Sequence, residues 1–88
     1  MSRPHVIKTM DVTTSPVAVP FDLQPPHIAA LSYHRFHITG ADVTVTIRIG
    51  GRDFPTVLKA GSHLGEFSGI ESITLQSAST SSVVYTGE

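Results

Sequence analysis

Cysteine and tryptophan are absent from this chain of 88 residues, charge is scarce, and no apolar run approaches the length of a membrane-spanning helix. Without cysteine, disulfides and thiolate metal sites are excluded, and a small domain must find its stability elsewhere. Charged residues make up 15% of the chain, where roughly 25% is usual. The six basic residues (Arg3, Lys8, Arg35, Arg48, Arg52, Lys59) are scattered and balanced by seven acids. Binding by neutralisation of phosphates therefore has no basis, and no nucleic-acid partner is expected. A surface low in charge and rich in Ser and Thr is poorly protected against association. It suits a protein partly covered by neighbours. The opening stretch "MSRPHVIKTMDV" has no apolar h-region, so neither secretory routing nor a membrane partner is expected.

Helical periodicity is missing too. Threonine and β-branched residues are abundant, prolines fall at 4, 16, 20, 25, 26 and 55, and no long i, i+3, i+4 apolar stripe exists. What is there alternates with period two. In "VTVTIRI" (43–49), Val43, Val45, Ile47 and Ile49 form one face and Thr44, Thr46 and Arg48 the other, before Gly50-Gly51 closes the run. "FHITGADVTVTIRI" reads as a hairpin, and "RDFPTVLKAG" as a short strand after the glycine pair. "HVIKTMDV" (5–12) is a first strand with Lys8 interrupting its apolar side, and "VAVPFDL" (17–23) an edge strand or arm marked by Pro20. "QPP" (24–26) reads as a polyproline-like connection. "HIAALSYHRFHIT" is ambiguous at its start and reads as a strand from about residue 30. "AGSHLGEFSG" (60–69) reads as a glycine-rich loop, and "IESITLQSA" and "VVYTG" as the last strands.

Strands every eight to twelve residues predict an all-β fold: a small β-sandwich, jelly-roll-like or immunoglobulin-like, of about seven or eight short strands. One domain is expected, with residues 1–22 an N-terminal strand or arm and 23–88 the sandwich body.

Chemistry-bearing patterns are weak. His34 and His37, three apart on a strand, point to opposite faces, and no H-x-H pair exists. The five histidines are expected at the surface or in interfaces, with no metal ligand among them. "AGSHLG" is not a G-x-S-x-G elbow, Glu66 and Glu71 are separated by a turn, and there is no phosphate-cradling glycine motif. No catalytic residue and no cofactor is assigned, and the chain is not expected to be an enzyme. Tyr33 and Tyr85 are the candidates for stacking on a sugar.

The C-terminal half carries a resemblance. Ala60, Gly61 and Ser62, then Gly69, Ile70, Ser72, Ile73 and Leu75, and finally Val83, Val84, Tyr85 and Gly87 form a pattern similar to that of small β-structured virion proteins of double-stranded DNA bacteriophages. The resemblance implies a structural protein of the virion, assembled in the host cytoplasm. Its first form is a capsid cement or decoration subunit, its second a tail or fibre attachment protein. Implied partners are the major capsid protein or tail proteins and further copies of the chain, a trimer being one form. Carbohydrate binding or host recognition is the alternative. Expected assembly contacts are His5, Val6, Ile7, Val17, Val19, Phe21, Tyr33 and Tyr85.

Overall fold

A computed structural model describes residues 6–21 and 25–88. The described residues contain eight strands: β1 (Val6–Val12), β2 (Val17–Ala18), β3 (Tyr33–Gly40), β4 (Val43–Ile49), β5 (Arg52–Leu58), β6 (Gly61–Glu66), β7 (Ile70–Ser77) and β8 (Ser81–Gly87). One short helix, α1 (Pro25–Ala29), lies between β2 and β3. Sheet A has the order β1-β8-β3-β6 and sheet B the order β2-β7-β4-β5. All pairings are antiparallel.

The order has a simple origin. The β4–β5 hairpin is the tip of a ribbon in which β3 pairs with β6, β2 falls beside β7 and β1 beside β8. Wrapping that ribbon closes β3 on β8 and β4 on β7, which is the jelly-roll arrangement. The immunoglobulin order, with its four-plus-three sheets, does not apply. At the tip, Gly50 and Gly51 adopt φ of 59° and 76°, the two left-handed conformations that a two-residue type I′ turn requires.

The core lies between the sheets. Val12, Leu31, Val43, Ile73, Leu75, Val83 and Tyr85 are completely buried, with Val45 and Ile70 nearly so. The β4 face expected from its alternation is buried at Val43 and Val45 but only partly at Ile47 and Ile49. These two lie opposite Phe54 and Arg52 of β5, a strand exposed along almost its whole length. The sandwich is therefore tight on the β1 and β2 side and open on the β5 and β6 side.

Several segments differ from their sequence reading. Residues 61–66 are a strand, not a loop: Gly61 and Gly65 fall on its inward face, where missing side chains hide the alternation. Of the expected "QPP" connection, Pro25 and Pro26 open α1, and Gln24 lies outside the described residues. Proline fits there, since the first helical N–H groups are unbonded anyway. Ile28 and Leu31 then bury against the core. Among the described residues of the run expected over 17–23, Val17–Ala18 form a strand. The Val19 amide still bonds the Ile73 carbonyl, after which Pro20 ends the ladder. Leu23 lies outside the described residues. Residues 6–12, assigned to a strand or arm, are a strand of the body.

The gradient from closed to open side sets an expectation. Ile73→Ala should cost about 2–5 kcal/mol in urea unfolding, the range for emptying a tight core position. Ile47→Ala should cost less than half as much, because its site is already partly open.

Candidate functional site

Two features stand out: a buried polar cluster in sheet A, and the free edges of both sheets. The cluster centres on His34. It shares the inward face of β3 with Phe36 and Ile38 and is fully buried, which corrects the expectation that the histidines lie at the surface or in interfaces. Its cross-strand neighbours are both glycines, Gly65 on β6 and Gly87 on β8. Two side chains fill the space this leaves. The Phe67 ring folds back over Gly65, where a Cβ would come within 2.7 Å of a ring carbon, and stacks on the imidazole at 4.1 Å with an 8° interplanar angle. Tyr85 places its hydroxyl 2.7 Å from His34 Nδ1.

The tautomer follows from the partners. The Phe67 carbonyl, 3.0 Å from Nε2, can only accept, so Nε2 carries the proton and Nδ1 accepts from the Tyr85 hydroxyl. Burial lowers the His34 pKa below its ordinary value, opposed by the carbonyls of Phe67 and Leu31. Burial also raises the Tyr85 phenol well above its usual range. Both groups stay neutral, and a fully buried imidazole meets no substrate. The cluster is a structural pin that ties β3, β8 and the segment after β6 together.

Other chemistry-bearing groups are dispersed. His37 Nδ1 lies 2.8 Å from Ser62 Oγ on the exposed outer face of sheet A, and no acid is hydrogen-bonded to His37 among the described residues. His63 Nε2 meets the Lys59 carbonyl. Glu66 lies on β6 of sheet A, while Glu71 on β7 of sheet B accepts from the Gly51 amide at 2.7 Å. Among the described residues no three His, Asp or Glu side chains converge as a metal set would. A shallow depression of about 200 Å³ is lined by Tyr33, Arg35, Leu64, Thr86 and Glu88. Tyr33 is 39% exposed there, but Tyr85 is wholly buried and offers no face to a sugar.

The expected contact residues separate in the same way. Ile7 is exposed on β1, Tyr33 on β3, and Val17 and Phe21 are partly buried. Val6 and Tyr85 are turned inward by the parity of β1 and β8, and Val19, just past β2, is buried as well, so in a single copy these three are core residues. His5 lies outside the described residues.

The edges follow from the hydrogen-bond parity. Tyr33 and Glu88 exchange both backbone hydrogen bonds. Bonding alternates along antiparallel strands, so the registers fix which amides face outward. On β1 these belong to Ile7, Thr9 and Asp11; on β6, to Ser62, Leu64 and Glu66. In sheet B the tight turn makes Ile49 and Arg52 a bonded pair, so β5 directs Asp53, Pro55 and Val57 outward. Pro55 has no N–H and interrupts that row. β2 is two residues long. Sheet B is thus blunted at both edges, whereas among the described residues sheet A ends in a long strand on each side, with Lys8 the one charged side chain turned inward on β1. Leu64, missed by the sequence reading as a loop residue, is 62% exposed at one open edge, and Ile7 is 61% exposed at the other.

No family model and no curated protein matches the sequence significantly. Among solved structures, one from work on Bacillus endospore appendages, described there as a novel family of disulfide-linked pili, superposes with a TM-score of 0.60. The match covers 94% of this chain and 81% of that one at 16% identity. At that identity the likeness is one of fold.

The buried imidazole gives a pH dependence. The folded state holds His34 below the unfolded value of about 6.5, so the unfolded state binds more protons in that window. Stability is therefore complete above about pH 6.5 and declines as pH falls below it. Melting temperatures between pH 7.5 and 5 should show this fall. His34→Gln should flatten it, and the NMR titration of His34 in the unaltered chain should have its midpoint below 6.5.

Proposed function

We propose that this chain is a structural protein, a small sandwich subunit that works by joining other protein chains, chiefly copies of itself, along its sheet edges. The observation that carries the reading is the pair of long, proline-free edges on sheet A that no further strand covers among the described residues. An open edge offers a row of unpaired N–H and C=O groups to another strand. The sparse charge of the chain leaves little to repel such an approach. The fold neighbour supports the reading, since pili are polymers. With no cysteine, this chain would assemble through backbone pairing and side-chain packing without disulfide links. Decoration of a phage particle is the finer form suggested by the pattern of residues 60–87, its partners then being capsid or tail proteins. Either way the contribution is mechanical: binding only the folded, assembled state stabilises it by mass action.

Sedimentation velocity and negative-stain microscopy of the purified chain test the reading. Concentration-dependent oligomers that change little with added salt are expected, because few charges take part. A strict monomer at every accessible concentration would overturn self-assembly. A glycan-array signal abolished by Tyr33→Ala would favour the carbohydrate alternative instead.

A further inference from the structure

Resting on that reading, we infer that the partner is a second copy of this chain whose β1 adds to β6 in sheet A, head to tail, so that the sheet continues from subunit to subunit. Direction is the first argument. β1, β8, β3 and β6 alternate, so β6 runs opposite to β1. A copy set alongside in the same orientation therefore brings its β1 antiparallel to β6, with no inversion. Two-fold pairing of β1 with itself about Thr9 would instead place Ile7 opposite Asp11. Two-fold pairing of β6 would leave every β1 uncovered. One head-to-tail contact, repeated, covers both edges of every copy.

Parity is the second argument. Ile7, Thr9 and Asp11 carry the outward amides of β1, and their side chains lie on the exposed outer face of sheet A. Ser62, Leu64 and Glu66 carry those of β6 and lie on the same face. The strands are seven and six residues long. Opposed residues of an antiparallel pair share a face, so the two rows mate without turning either sandwich over.

Side chains choose the register. Ile7 opposite Leu64 joins the two exposed aliphatic residues of these edges, sets Thr9 opposite Ser62, and keeps Asp11 and Glu66 at opposite ends of the pair. On the inner side it sets Val6 against Gly65 and Met10 against Gly61, with Lys8 opposite His63 between them. The same placement covers the open flank of the sandwich. There a cleft of about 160 Å³ between β5 and β6 is lined by Phe36, Val45, Ile47, Leu58 and Phe67. A heterologous contact that does not close on itself builds a filament.

The chain itself suggests the test, for Pro55 already shows what a proline at an outward position does to an edge. Thr9→Pro on β1 and Leu64→Pro on β6 each remove an outward donor while keeping every bond within the sheet. Each variant should keep the native circular dichroism of the unaltered chain and need a protein concentration at least about tenfold higher to assemble. As a second measurement that does not depend on proline, Ile7→Cys and Leu64→Cys are introduced together into this cysteine-free chain and oxidised. A ladder of covalent multimers is expected from the double variant, and dimers from an equal mixture of the two single variants. Efficient dimers from either single variant alone would show two-fold pairing and overturn the inference. So would undiminished assembly of both folded proline variants without cross-linking between positions 7 and 64, though self-assembly itself would stand. A strictly monomeric unaltered chain would remove both the inference and the reading beneath it.

Discussion

The pairing of β1 with β8 holds the rest of the structure in place. It runs without interruption from Val6 opposite Gly87 to Val12 opposite Ser81, and it makes sheet A a four-stranded layer. Because β8 is gripped from both sides, Tyr85 is fixed at the centre of the inward face. Its ring meets Phe36 at 5.2 Å and the edge of Phe21 at 5.6 Å, and its hydroxyl reaches His34. A phenol and an imidazole so deeply buried would each be costly alone. Bonded to each other and to the Phe67 carbonyl, they leave no buried side-chain polar atom unsatisfied among the described residues. At the far end of the strand, Ser81 bonds the Ala41 carbonyl and shares a hydrogen bond with Ser77, tying β8 to sheet B.

Much of this was legible in the sequence. The alternation in 43–49, 70–78 and 83–87 marked strands whose inward residues are now core, and the glycine pair at 50 and 51 marked the hairpin. The alternation could not say how far each face is covered. Ile47 and Ile49 look the same in sequence as Val43 and Val45, yet their cover depends on β5, an edge strand with little behind it. β6 was invisible because glycine occupies two of its three inward positions, with His63 between them. The jelly-roll order was beyond reach as well, since period two records which face a residue takes and not which strand lies beside it.

The candidate site was legible only in fragments. His34 could have been placed by parity, for it alternates with Phe36 and Ile38. What the sequence could not show is that both of its cross-strand neighbours are glycines, the condition that lets an aromatic ring and a phenol surround it. Proline was read as an edge marker at position 20, where it ends β2. The residue that blunts an edge is Pro55, and only the hydrogen-bond parity of β5 reveals it. The free edges of sheet A carry no compositional mark, because an unpaired strand and a paired one are built from the same residues.

The first strand and the last are neighbours in space although nearly the whole chain separates them, and that distance orders events in time. A chain emerging from the ribosome carries the β1 segment well before its partner in the sheet, which arrives only with residues 81–87. Contacts of such long range form late, after the loop between them has been closed. Until β8 is seated, β1 has no sheet to belong to and presents no regular row of outward amides. Completion of the fold is thus what sets the outward amides of β1 in a regular row.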